Sequence, residues 1–324
     1  MKKLVLILIA VLFLAGCSAK QSEQSAQNSA LTGAPASEEK SNVSEPPVQT
    51  MHEENLESLD PEPSETLAAD RSEITTPVLV KGYFTGGLYR GEWLGYEDFY
   101  NSNAVEFEGY IYNIYLDGAY KGKATGGLPI DPMFGETDPA SLSLVELYDE
   151  NNQKLGYNMY DIAIRADWEL YPRAFSMETS NSETYLSLVK EVLAGEGIEN
   201  PDTVLQQVIS VDLDGDGENE VLLTADNTTD GRFEEVKKGD NAVFLYMESD
   251  SAEPQVVEKD VYPEEPAEVS LYRLLYRVET IADLDGDGIM EVVMKGRYYE
   301  GDWFAIYKLI DGHLETVAQN GRGV

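Results

Sequence analysis

Two acidic segments hold the residues best equipped for chemistry in this 324-residue chain. Val211 to Leu223 reads VDLDGDGENEVLL, and Ala282 to Met294 reads ADLDGDGIMEVVM, 71 residues further on. Each places carboxylates at positions 1, 3, 5 and 9 of a loop: Asp212, Asp214, Asp216 and Glu220, then Asp283, Asp285, Asp287 and Glu291. In a tightly curled loop alternate residues aim inward, and a hard cation such as Ca²⁺ takes about six to eight oxygens at about 2.3 to 2.6 Å. Gly217 and Gly288 stand at position 6, where a chain curling round an ion needs a conformation costly for a side chain. The carbonyl at position 7, from Glu218 or Ile289, is the expected backbone ligand, and the Ile289 side chain, unable to coordinate, points to a main-chain role there. Four carboxylates repeated in register repel one another without a cation. Two Ca²⁺ ions are therefore expected. Mg²⁺ fits less well, because it keeps waters and demands octahedral geometry.

The elements that must position these loops are strands. Val208-Ile209-Ser210-Val211 and Val221-Leu222-Leu223 are β-type runs, and position 12, where an EF-hand needs a bidentate Glu, is Leu223 or Met294. That excludes an EF-hand. Further on, Val243-Phe244-Leu245-Tyr246 aligns with Phe304-Ala305-Ile306-Tyr307 at an offset of 61, and Asp311-Gly312 is set to turn a closing hairpin. Each unit thus reads as strand, acidic loop, strand and hairpin, a duplicated supersecondary unit.

The loops resemble the nine-residue Asp-x-Asp-x-Asp-Gly-x-x-acid loops of FG-GAP and VCBS-type repeats, known from integrin α-subunit propellers and bacterial exported proteins. The resemblance covers Val208 to Gln319 and implies that each loop joins two antiparallel strands of one blade and binds Ca²⁺ structurally. The Phe-Gly and Gly-Ala-Pro elements that name the family are missing from both units, and Gly33-Ala34-Pro35 lies far upstream. Two units are also too few for a closed propeller of about four to eight blades. The expected fold class is mainly β with one clear α-helix, its duplicated units forming an open or sandwich-like domain. The alternative is an incomplete or diverged β-propeller completed by the preceding β region.

That region, residues 78–178, reads as β-rich. Tyr110, Tyr112, Ile114 and Leu116 alternate up to the Asp117-Gly118 turn, and Val78 to Val80, Leu144 to Tyr148 and Tyr160 to Ile164 read as further strands. The glycine pairs at 86–87 and 126–127 are expected to interrupt strands. Residues 179–324 hold one helix and the two repeats. Ser180 and Glu183 have capping-box spacing, Leu186, Val189 and Leu193 form an apolar stripe, and Gly195 with Pro201 closes the segment. The aromatics Trp93, Tyr96, Phe99 and Tyr100 suit a β core better than a sugar-stacking platform.

At the N-terminus, Lys2-Lys3 precede twelve apolar residues, Leu4 to Ala15, which is signal-peptide length and too short to span a bilayer. Leu14-Ala15-Gly16-Cys17 resembles a bacterial lipobox. That resemblance implies cleavage after residue 16 and lipidation of Cys17, the chain's single cysteine, with a membrane anchor on the extracytoplasmic face. Residues 17–77 read as a tether: Ser18 to Pro77 has six Pro, ten Ser, twelve acidic residues and no aromatic, a composition that cannot repay the entropy of ordering.

With 60 Asp+Glu against 23 Lys+Arg the chain carries a net charge of -37, which repels phosphates and excludes a nucleic-acid reader. One Cys rules out an internal disulfide and a thiolate zinc site, and two His leave few positions for a histidine base. The function class these features favour is a membrane-anchored extracytoplasmic lipoprotein, more consistent with a non-enzyme, whose calcium-stabilised β domain binds or presents an extracellular protein or glycan. Alternatives are a polysaccharide or cell-wall hydrolase or its accessory domain, and an importer solute receptor, which would need alternating strands and helices.

Overall fold

In the computed structural model, residues 76–96, 98, 107–130, 144–178, 182–228, 234–248, 253–267 and 271–322 are described. Cys17, the lipobox-like run, Phe99 and Tyr100 lie outside them. Strands make up 53% of the described residues, which hold one complete helix.

The first seven strands are β1 (Thr76–Val80), β2 (Tyr83–Tyr89), β3 (Glu92–Gly95), β4 (Ile111–Leu116), β5 (Ala119–Ile130), β6 (Leu144–Tyr148) and β7 (Ile162–Ile164). Their order is β1-β7-β4-β5-β6-β2-β3, and the additional pairing of β1 with β2 closes six of them into an antiparallel barrel, with β3 appended to β2. The strand expected from Tyr160 starts at Ile162. Thr76 and Pro77, assigned above to the tether, belong to β1, with Pro77 opposite Gly87. Leu79, Phe84, Tyr112, Val145, Leu147 and Tyr160 fill the barrel.

The two glycine pairs do not interrupt strands; they lie inside β2 and β5. A Cβ on Gly86 would sit 2.6 Å from the Ala318 Cβ, and one on Gly126 would sit 2.3 Å from the Phe107 carbonyl oxygen. Glycine is used there for close backbone approach.

Each repeat forms a four-stranded antiparallel meander. The first comprises β9 (Val204–Val211), β10 (Glu220–Asp226), β11 (Asn241–Met247) and β12 (Gln255–Val261), with β8 (Ser176–Glu178) added beside β9; the second comprises β13 (Leu275–Ala282), β14 (Glu291–Tyr298), β15 (Gly301–Ile310) and β16 (His313–Arg322). The helix α1 (Glu183–Gly195) is capped by Ser182, whose hydroxyl accepts from the Tyr185 N–H, and so the cap is not Ser180.

The layers stack through shared cores. Ile209, Leu222, Phe244 and Tyr246 of the first meander pack on Val278, Val292, Met294 and Tyr307 of the second. The other face of the first meander takes Val189 and Leu193 of α1, while the other face of the second, through Val293, Phe304 and Ile306, packs on Val78, Val80, Ile162 and Ile164 of the barrel. The sandwich-like arrangement is thus the one adopted, and a closed barrel stands where the alternative would put further blades. Full burial of each such aliphatic side chain is worth about 1.5 to 3 kcal/mol, so the loops are carried on sheets covered on both faces.

The strand register corrects the internal alignment. Val221 pairs with Met247, and its counterpart Val292 pairs with Tyr307. Met247 therefore corresponds to Tyr307, and the offset in this strand is 60, one less than the sequence comparison suggests. A slip of one residue transfers every side chain to the opposite face, and it changes which residue faces each loop.

Candidate metal centre

The two acidic loops lie between β9 and β10 and between β13 and β14, and their hydrogen bonds match almost atom for atom. Asp212 Oδ1 and Oδ2 accept from the N–H groups of Gly215 (2.6 Å) and Gly217 (3.2 Å), and Asp283 does the same with Gly286 (2.6 Å) and Gly288 (3.1 Å). Asp214 accepts from Asp216 N–H and Asp285 from Asp287 N–H; Asp216 and Asp287 accept from the N–H groups of Glu218 and Ile289. Glu220 reaches back to Leu213 N–H and Glu291 to Leu284 N–H, each at 2.7 Å. The curl requires positive φ at position 6, +94° at Gly217 and +91° at Gly288, and also at position 4, +83° at Gly215 and +76° at Gly286. An L residue pays about 1 to 2 kcal/mol in that region.

Oxygens of Asp212, Asp214 and Asp216 come within 4.8 Å of one another, as do oxygens of Asp283, Asp285 and Glu291. Both clusters can hold a metal ion. Glu220 and Asp287 stand outside these closest groups, and Glu218 and Ile289 enter the hydrogen bonding through their backbone N–H groups. The donor set suits a hard cation, since every candidate ligand is an oxygen. The second loop adds a buried polar atom in need of a partner: Glu291 is 0% exposed and its Oε1 accepts no hydrogen bond.

Electrostatics carry the same strain. Burial pushes the Glu291 carboxyl well above its ordinary range, reinforced by Asp285 and only partly offset by the Leu284 N–H and Lys308. Burial also raises Glu220 and Asp283 against the N–H groups that favour their charged forms. Asp287 is lowered: burial is the largest single influence and works against ionisation, but the hydrogen bond and charge of Lys308, with the Ile289 N–H and Asp285, together outweigh it.

Several residues that the sequence did not connect with the loops complete the centre, among them Trp93, read above as a core aromatic. Arg173 braces both loops, donating from Nε to the Asp212 carbonyl (2.7 Å) and from Nη2 to those of Leu213 (2.6 Å) and Gly288 (2.7 Å). Met290 N–H donates to the Leu213 carbonyl at 2.8 Å, so the loops are also joined directly. Trp93 Nε1 donates to Asp285 Oδ2 at 3.1 Å, and Trp168 Nε1 donates to the Asp283 carbonyl at 2.7 Å while its ring lies against Gly286. Lys308 Nζ donates to Asp285 and to Asp287 (2.7 Å) and stands 3.5 Å from Glu291 Oε1. A base opposite the most deeply buried acid of the second loop is a readable signal once the register is known; nothing local marks Arg173.

The chain matches no protein-family model, no curated protein and no solved structure. The likeness to FG-GAP and VCBS-type repeats therefore rests on the loop residues themselves. Among the described residues no helix is long and apolar enough to cross a membrane.

Proposed function

We propose that the chain is an exported lipoprotein, anchored through Cys17 on the extracytoplasmic face, whose paired loops bind Ca²⁺ and stiffen a β domain that binds or presents an extracellular protein or glycan. The observation that carries this reading is the pair of matching nine-residue loops, which gather carboxylate oxygens at the ends of neighbouring sheets. Calcium is the ion favoured by a crowded, all-oxygen protein ligand set, and extracellular modules of this kind bind it at about 10⁻⁴ to 10⁻³ M. For a site of about 0.1 mM in about 1 mM Ca²⁺, linkage adds roughly 1.4 kcal/mol to stability. The ion acts as a structural cross-link between strands, and no catalytic step is assigned to it.

Calorimetric titration of chelator-stripped protein tests the calcium reading. Ca²⁺ should bind at millimolar concentration or below and raise the melting temperature, with Mg²⁺ substituting poorly; a wild-type protein indifferent to both Ca²⁺ and chelator would overturn it. The anchor is tested separately, because Cys17→Ser should release the protein from membranes or block its processing. A Cys17→Ser protein that is cleaved normally and stays membrane-bound would remove the anchor from the proposal.

A further inference from the structure

We propose that Lys308 is a built-in competitor for the second loop: its ammonium takes the place of a divalent ion, and the ion enters only by displacing it. The two loops of one chain would then bind the same cation with unequal affinity. This inference rests on the cation-binding reading of the loops and adds the control of one of them.

The geometry is specific to the second loop. Continuing the β14–β15 register beyond Val292 and Tyr307 puts Lys308 opposite Glu291, and its Nζ contacts Asp285, Asp287 and Glu291 together. The ammonium thus engages two of the three carboxylates that converge on the candidate ion position, Asp285 and Glu291, together with the neighbouring Asp287. It does so incompletely, because Glu291 Oε1 is fully buried yet accepts no hydrogen bond, with the ammonium 3.5 Å away. A divalent ion at about 2.3 to 2.6 Å would satisfy that oxygen. In the first unit the same register step beyond Val221 and Met247 puts Glu248 opposite Glu220. The charge at one equivalent position is therefore reversed between the repeats. The first loop has an additional carboxylate where the second has its own cation, and among the described residues the first cluster's nearest base is Arg173, whose Nε lies 4.0 Å from Asp212 Oδ1 and which is engaged with backbone carbonyls.

Displacement is favoured by the higher charge of the ion and opposed by the release of an ammonium held by three carboxylates. The length and flexibility of a lysine stem let the head swing out to water without moving the strand.

The test uses the chelator-stripped full chain, titrated with Ca²⁺ in a calorimeter. Wild type should bind in two phases roughly tenfold or more apart in Kd, and Asp285→Ala should abolish the weaker one. Lys308→Met should tighten the weaker phase by roughly tenfold and leave the other in place, while Glu248→Lys should weaken the stronger phase. A measurement without substitution supports the variants: Lys308 should acetylate slowly in chelator and faster in saturating Ca²⁺, as read by mass spectrometry of its peptide. Two equal sites in wild type, or a weaker phase unmoved by Lys308→Met with Lys308 acetylation insensitive to Ca²⁺, would overturn the competitor and leave the calcium reading standing. Absence of Ca²⁺ binding in wild type and in every variant would overturn both.

Discussion

The first and second loops share one backbone trace and one set of internal hydrogen bonds, and they differ in what surrounds them. The first lies open to solvent, with Asp214 and Asp216 exposed and Glu220 its one buried carboxylate. The second is enclosed: Asp283 and Glu291 are buried, two indole N–H groups reach it, and Lys308 lies among its carboxylates. Duplication preserved the curl, which depends on local residues, while the neighbours diverged with the layers that each meander packs against. A repeated motif therefore predicts a repeated shape more securely than a repeated affinity.

The contrast breaks most visibly at the position that faces each loop. In chelator, Lys308→Ala leaves the buried Glu291 and its neighbours uncompensated and should cost about 3 kcal/mol, the scale for breaking a buried ion pair. Glu248→Ala, at the equivalent position, should be neutral or slightly stabilising. Urea denaturation of both variants gives the comparison, and equal effects would show that the two environments do not differ energetically.

Arg173→Ala tests what the loops have in common. It removes three charge-assisted hydrogen bonds to carbonyls of both loops, each worth about 1.5 to 3 kcal/mol in principle and less in sum after relaxation. A loss of about 2 kcal/mol with weaker Ca²⁺ binding in both phases is expected. Weakening confined to one phase would mean that the shared brace matters to one loop alone.

Position 4 separates the loops more finely. A Cβ on Gly286 would lie 2.8 Å from Cδ2 of the Trp168 ring, whereas one on Gly215 would lie 2.9 Å from the Nη1 end of Arg173. Both carry the positive-φ penalty of about 1 to 2 kcal/mol, but a guanidinium tip moves more readily than a packed indole. Gly286→Ala should therefore lower the melting temperature more than Gly215→Ala, and the reverse order would contradict the packing described.

The smallest effect is one of pH. Glu220, Asp283 and Glu291 have folded-state pKa values raised above their ordinary ones, chiefly by burial. Without metal the native state then binds protons more tightly than the unfolded chain, so these groups add stability as pH falls from neutral through their folded values, levelling off below the unfolded value of about 4 to 4.5. Glu291→Gln should flatten this rise more than Glu220→Gln. Thermal melts in chelator between pH 7 and pH 5 provide the measurement, and a slope unaffected by Glu291→Gln would contradict the assignment.

What could be read from the sequence was whatever depends on near neighbours. The loop carboxylates, Gly217 and Gly288, the Asp117-Gly118 and Asp311-Gly312 turns, and the Val189/Leu193 face of α1 all follow from spacing over a few residues. The β11–β15 correspondence did not follow. β11 is buried on both faces from Asn241 to Tyr246, so its apolar run has no alternation from which a face could be deduced. Two Tyr residues, 246 and 307, made the wrong offset attractive, and it hid Lys308 by placing it beside Met247. The barrel was hidden for a different reason. Its closure depends on the short β7 reaching both β1 and β4, pairings between residues far apart in the chain.

The placement of the indoles gives the molecule an internal optical reporter. Of three tryptophans in the chain, Trp93 and Trp168 each donate to a residue of the second loop, and Trp303 is on β15, packed against Tyr276 and Tyr298. A change at Asp283 or Asp285 alters the polarity and hydrogen bonding felt by two of the three fluorophores, whereas the first loop makes no hydrogen bond to any of them among the described contacts. Intrinsic emission should consequently respond to the second loop and remain almost silent to the first, allowing the two binding events to be followed separately in an unlabelled, unmodified chain.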